Sequence, residues 1–113
     1  MSKTISWVIK LSLNEGKAND FKALMSEMVA STRGETGCEA FEPFVSPDGA
    51  SFHIYERYAD SGAALVHLGN FGAKFAGRFM GCVTPTGLDV YGEPTAELKG
   101  ALDTMGAVYY GSF

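Results

Sequence analysis

The sequence predicts an α+β domain on the ferredoxin-like plan: a βαββαβ order, an antiparallel sheet, and helices on one of its faces. Three observations carry that prediction. Residues 4–13, TISWVIKLSL, alternate apolar and polar side chains with the period of a strand. Phe21, Leu24, Met25, Met28, Val29 and Thr32 recur at the i, i+3, i+4 spacing of an amphipathic helix. Ser46-Pro47-Asp48-Gly49 then separates two strand-like runs with hairpin-turn chemistry.

In the first strand Ile5, Trp7, Ile9, Leu11 and Leu13 share one face, and Val8 is the apolar exception on the other. Asn14-Glu15-Gly16 ends it, and a helix follows from about Lys17 to Arg33. Gly34 and Gly37 are expected to supply left-handed conformations that stop this helix. The second strand is Cys38 to Ser46, where Pro43 argues for a sheet edge or a bulge. Ser51 to Tyr58 forms the third strand, with Phe52, Ile54, Glu56 and Tyr58 on one face and His53, Tyr55 and Arg57 on the other. Asp60 is a good N-cap for a short helix to about Gly69. A break at Gly69 and Gly72 is expected, then a second helical piece from Asn70 to about Gly81. Its Phe71, Phe75 and Phe79 make one aromatic stripe. Val83 to Tyr91 reads as the fourth strand, Pro94 to Met105 as a short helix, and Ala107 to Phe113 as a terminal strand or extension.

The 113 residues suit one domain, with a core over about residues 4–91 and an extension over about 93–113. Hydrophobic residues make up 46% and charged residues 19%, which excludes a disordered chain. The net charge of -4 and scattered basic residues argue against a nucleic-acid partner. No apolar run approaches the length of about 20 residues that spans a bilayer, and the N-terminus lacks signal-peptide patterning. A cytoplasmic protein without a membrane partner is therefore expected. Cys38 and Cys82 lack redox or zinc spacing, and only His53 and His67 accompany them, so no metal site is expected. The sheet face bearing Val8 and Tyr55 lacks a helix to cover it, and a second copy of the sheet is the simplest cover, which predicts a homodimer.

Several pieces of the chain resemble a known family. Glu35-Thr36-Gly37-Cys38 is similar to an E-P-G-C turn. Tyr55-Glu56-Arg57-Tyr58-Ala59-Asp60, then Ala63-Ala64-Leu65 and His67, are similar to the pattern E-x-W-x-D, A-L, x-x-H. In this order and spacing the chain resembles the antibiotic biosynthesis monooxygenase (ABM) domain family, whose members form dimeric α+β barrels. It departs from the pattern at Tyr58, where the family often has Trp, and at Thr36, where it has Pro. Tyr58 keeps an aromatic wall and adds a hydroxyl. The resemblance implies a ligand pocket between the sheet and the second helical region. Glu56 and Tyr58 would face it and His67 would lie across from them. Relatives include cofactor-independent oxygenases, quinol monooxygenases, haem-degrading enzymes and an isomerase, so the fold alone does not choose a reaction.

The residues themselves allow more than one chemistry. His67 sits at the margin of an apolar stripe, where an imidazole with an ordinary pKa near 6.5 can take a proton from a phenol or enol. It can equally bond Glu56 or backbone and fix helix to strand. Glu56, a carboxylate on the inward face, needs a partner, and His67 is the obvious one. On that reading Glu56 orients His67, and Tyr58, Trp7, Phe71 and Phe75 line an aromatic cavity suited to flat ligands. Core packing alone also accounts for these aromatics.

Phosphate-cradling and dinucleotide motifs are absent. Haem would take His67 together with a pocket asparagine and tryptophan, as in the haem-degrading relatives, and that set cannot be placed here. No cofactor is expected. The leading expectation is a cofactor-independent monooxygenase acting with oxygen on a quinol or similar small aromatic, with His67 as its catalytic base. The alternatives are a non-oxidative isomerase or lyase of a small metabolite, using Arg57 or Arg78 to bind an anion, and a non-catalytic dimeric ligand-binding module.

Overall fold

A computed structural model describes residues 2–113. The chain runs β1 (Ile5–Leu13), α1 (Ala18–Arg33), β2 (Cys38–Val45), β3 (Ser51–Tyr58), α2 (Ser61–Lys74), α3 (Ala76–Cys82), β4 (Val83–Tyr91), α4 (Ala96–Asp103) and β5 (Val108–Tyr110). One sheet holds all five strands in the order β2-β3-β1-β4-β5. The first four strands pair antiparallel as the ferredoxin-like plan requires. β5 pairs parallel with β4, so the sheet is mixed rather than purely antiparallel. A parallel neighbour needs a crossover, and α4 provides it.

Central β1 shows why its alternation matters. Ile5, Trp7 and Leu11 are buried beneath the helices, with Phe21, Leu24 and Met28 of α1 against the same core. Phe21 meets Phe52 edge-on at 4.8 Å and lies 6.1 Å from Phe79, joining α1, β3 and α3. β2 is an edge strand with a register shift between Cys38 and Ala40, consistent with Pro43 within it. In the turn after it, Asp48 accepts from the Ser46 hydroxyl at 2.6 Å and the Ala50 N–H at 2.9 Å.

Three local expectations are corrected. Neither Gly34 nor Gly37 is left-handed. Gly37 serves close approach instead: a Cβ there would sit 2.2 Å from the Ala63 Cβ, so glycine lets the turn after α1 press against α2. The helix does not break at Gly69 or Gly72. α2 runs through both to Lys74, and the break falls at Phe75, with φ -128° and ψ -20°. A glycine within a helix costs only about 1 kcal/mol relative to alanine, which the flanking buried turns offset. The turn at Phe75 lets α3 bring Phe79 and Cys82 into the core. Finally, the C-terminal segment is part of the core. Thr95 caps α4 through Leu98 N–H and donates its own N–H to Ser61 at 3.0 Å. Leu98 and Leu102 are both 0% exposed.

The other sheet face carries no helix. Val8 and Tyr55 on it are half-buried, and Phe44, Tyr91, Val108 and Tyr110 are exposed. Among the described residues, no helix is long and apolar enough to cross a membrane.

Because α4 seats its leucines fully in the core, Leu102→Ala is expected to destabilise the whole domain by about 2–5 kcal/mol. Urea unfolding followed by circular dichroism measures this as a lower midpoint in a single transition. An early, separate loss of α4 with the main midpoint unchanged would show that α4 is an appendage.

Candidate active site

Between the sheet and the helices lies a cavity of about 570 Å³, a size that suits a small-molecule site. Its floor is the inward face of the sheet, with Trp7 and Ile9 from β1, Phe41 from β2, and Ile54 and Glu56 from β3. His67, Leu68, Phe71 and Gly72 of α2 form one wall, and Phe79 and Met80 of α3 extend it. The opposite end is made by Pro85, Gly87 and Leu88 of β4 and by Ala101, Thr104 and Met105. The β1–β4 register shifts between Lys10 and Leu11, opposite Gly87 and Pro85, at this end of the cavity.

The walls are largely apolar, with Thr104 at the far end and one ionisable corner. There Glu56 and His67, each 5% exposed, make the polar contacts. His67 Nε2 lies 3.2 Å from Glu56 Oε1, and His67 Nδ1 lies 3.0 Å from Glu35 Oε1. The imidazole is thus clamped between two carboxylates. Tyr58 donates its hydroxyl to the same Glu56 Oε1 at 2.7 Å, and the Asn70 amide donates to Glu35 Oε2 at 3.0 Å. Glu56 Oε2 has no hydrogen-bond partner among the described residues. No buried polar side-chain atom among them lacks a partner, so Oε2 is open to the cavity that Glu56 lines.

Aromatic rings hold the imidazole in place. Tyr58 stacks on it with centroids 5.1 Å apart, and Phe41 lies at 5.9 Å. Burial works against a charged His67, but the hydrogen bond and charge of Glu56, joined by those of Glu35, outweigh it and raise its pKa above the ordinary value. Burial, then the Glu56 charge and hydrogen bond, push Tyr58 far above the ordinary phenol range, so it stays a neutral donor. Burial and the Glu35 charge also push the Cys38 thiol up.

Of the residues singled out from the sequence, Trp7, Glu56, His67 and Phe71 line the cavity. Tyr58 does not line it. It is fully buried behind Glu56 and reaches the site only through its hydroxyl. Phe75 does not line it either, because the helix break falls on it and takes it off the stripe. Phe71 and Phe79 remain in contact, edge to face at 5.1 Å. Arg57 points to the other sheet face and pairs with Glu39 at 2.8 Å, and Arg78 pairs with Glu27 at 2.7 Å and 2.9 Å.

Sequence reasoning noted Glu35 only as part of a turn and did not consider Asn70. One signal was available: His67 and Asn70 are three apart on one helix, so both can face a single acceptor. Among the described residues, no group of three or more His, Cys, Asp or Glu side chains is arranged to hold a metal ion. Glu35 and Glu56 flank the imidazole on opposite edges rather than converging on one point.

A four-stranded ferredoxin-like core with a largely apolar cavity between sheet and second helix defines a class of small α+β domains. Within that class, the antibiotic biosynthesis monooxygenase (ABM) family matches residues 4–74, and the chain belongs to this family. A Mycobacterium tuberculosis protein named "Putative monooxygenase Rv0793" is 26% identical over 70 residues, 62% of this chain and 69% of that protein. Among solved structures, MupZ from Pseudomonas fluorescens matches with a TM-score of 0.89 at 23% identity, covering 100% of this chain and 88% of its own. SnoaB from Streptomyces nogalater, described as a cofactor-independent oxygenase, matches with a TM-score of 0.71 at 13% identity, over 84% of this chain and 97% of its own. At these identities the structural matches speak for the fold. The first of them includes α4 and β5, which lie beyond the stretch matched by the family.

The raised pKa of His67 has a consequence for stability. A group that binds its proton more tightly when folded stabilises the fold fully below its unfolded value, about 6.5, and loses that contribution as pH rises through the folded value. Urea unfolding of the wild type and His67→Gln across pH 5.5 to 9 tests this. The wild-type advantage is expected to be greatest at the acid end and to shrink as pH rises. An advantage that grows with pH would contradict it.

Proposed function

We propose that the protein is a cofactor-independent monooxygenase that oxidises a quinol or similar small hydroxylated aromatic with molecular oxygen. One observation carries this reading: a largely apolar, aromatic-walled cavity in which Glu56 presents a carboxylate oxygen backed by the His67 imidazole, whose pKa the neighbouring carboxylates raise. Trp7, Phe41, Phe71 and Phe79 offer surfaces for a flat ring. Glu56 Oε2 accepts the phenolic proton, and His67 faces the negative charge left on the substrate. His67 therefore works together with Glu56, since both its ring nitrogens are already engaged by carboxylates. The electron-rich anion, shielded from water, reduces oxygen directly. One oxygen atom is retained as a carbonyl, and the other leaves as water with two hydrogens from the substrate, so the substrate is the only reductant.

An isomerase or lyase of an anionic metabolite fits less well. No Arg or Lys lines the cavity, and Arg57 and Arg78 are held by Glu39 and Glu27. The corner offers an anion two acidic side chains and no fixed cation, which favours a neutral hydroxyl over a phosphate or carboxylate.

The test is oxygen uptake with a panel of reduced quinols and hydroxylated polycyclic aromatics, without added metal or flavin and with heat-inactivated protein as the autoxidation control. Glu56→Gln and His67→Ala are each expected to lower the rate by about 10²-fold or more. Uptake untouched by both substitutions would remove this corner from the chemistry. Thermal stabilisation by the same compounds without uptake would identify a binding module instead.

The protein is further proposed to work as a homodimer through the helix-free sheet face, where Phe44, Tyr55, Tyr91 and Tyr110 form the apolar surface. Sedimentation equilibrium is expected to give twice the chain mass, and Tyr55→Glu to shift the protein toward monomer. A wild-type monomer at micromolar concentration would refute the pairing.

A further inference from the structure

We propose that Glu35 is a positioning residue of the active site: it holds His67 as an imidazolium that donates from both ring nitrogens, and so leaves Glu56 as the group that takes the substrate's proton. This rests on the reading of Glu56 and His67 as the acid–base corner, and it adds a residue that lies outside the cavity.

The geometry points this way because the two carboxylates differ in what else they can reach. Glu56 lines the cavity. Glu35 does not, and its side chain, 11% exposed, lies on the far edge of the ring beside a separate outer groove with Asp60, Asn70 and Lys74. Glu35 therefore acts on substrate only through the imidazole. Its Oε1 takes Nδ1 at 3.0 Å while Asn70 fixes Oε2, so the carboxylate has little freedom to turn away. The sharp turn that presents it is pressed onto α2 at the Gly37–Ala63 contact.

The reason a second carboxylate matters is charge balance during turnover. A buried imidazolium facing Glu56 alone loses its counter-charge as soon as Glu56 accepts a proton. Before that step, a neutral pair with the ring proton passed to Glu56 would compete with the productive state, because Glu56 could then no longer take the substrate's proton. With Glu35 in place the imidazolium keeps one carboxylate throughout, and its Nε2–H remains aimed at the side where negative charge develops. The ionisable groups around the ring are Glu35 from the turn after α1, Glu56 and Tyr58 from β3, and Cys38 from β2. Tyr58 and Cys38 are both held neutral, which leaves the two carboxylates to set the state of the ring.

Glu35→Gln tests this, because the amide keeps the size and the capacity to accept from Nδ1 while removing the charge. The full chain, labelled with ring-¹⁵N histidine, is titrated by NMR, with His53→Asn used to assign the two signals. Wild-type His67 is expected to show two protonated ring nitrogens at pH 7.5. In Glu35→Gln the titration midpoint is expected to fall by about 1–3 units. With the best quinol found, kcat should fall at least tenfold, KM should change less than about twofold, and the basic limb of the kcat profile should move to lower pH with the ring titration.

A singly protonated wild-type ring at pH 7.5 would overturn the proposal without any variant. An unshifted midpoint, or a shifted midpoint with kcat unchanged, would reduce Glu35 to a structural tie. Should no quinol be oxidised, the monooxygenase reading fails by that assay alone, while the ring titration still decides what Glu35 does to His67.

Discussion

The structure is organised around a buried polar set in which the His67 imidazole bridges the carboxyl groups of Glu35 and Glu56. Charge taken out of water is tolerated only when paired and hydrogen-bonded, and here each member is. The set also joins three otherwise separate parts of the chain: the turn after α1 through Glu35, the edge of the core on β3 through Glu56, and α2 through His67. Packing supplies most of the stability of a domain this size. The polar set supplies something packing does not, a defined position for α2 relative to the sheet and hence a cavity of definite shape.

That cavity is not a property of the βαββαβ core alone. The core contributes Glu56, His67, the aromatic floor and the β4 residues at the far side, whereas Ala101, Thr104 and Met105, on and just after α4, complete that side from beyond it. α4 is seated by Leu98 and Leu102 and tied to the start of α2 through Thr95 and Ser61. The two ends of the site are therefore built from different stretches of sequence. The end that holds Glu56 and His67 lies within the stretch matched by the family, and the far end lies largely outside it.

Much of this was legible in the sequence, and the parts that were not share a physical cause. The alternation in β1 and the helical spacing in α1 report which face is buried, and those elements appear where periodicity places them. The pairing of Glu56 with His67 follows from the cost of leaving a carboxylate unpaired among aromatics. Periodicity is silent about what lies across from a buried face. Glu35 stands 32 residues from its partner, and its approach depends on a glycine whose value is the absence of a side chain. The break at Phe75 escaped notice because glycine permits a bend without requiring one. The parallel addition of β5 escaped because three residues carry too little pattern to set a direction.

The sheet ends in two poor edges. On one side is β2, whose Pro43 lacks an N–H and whose register is interrupted near Cys38. On the other is β5, only three residues long. Open strand edges are where foreign chains add and where fibrils begin, and a proline, a bulge and a short strand are the ordinary means of blunting them. This chain has all three, so it offers little ladder along which another chain could extend the sheet.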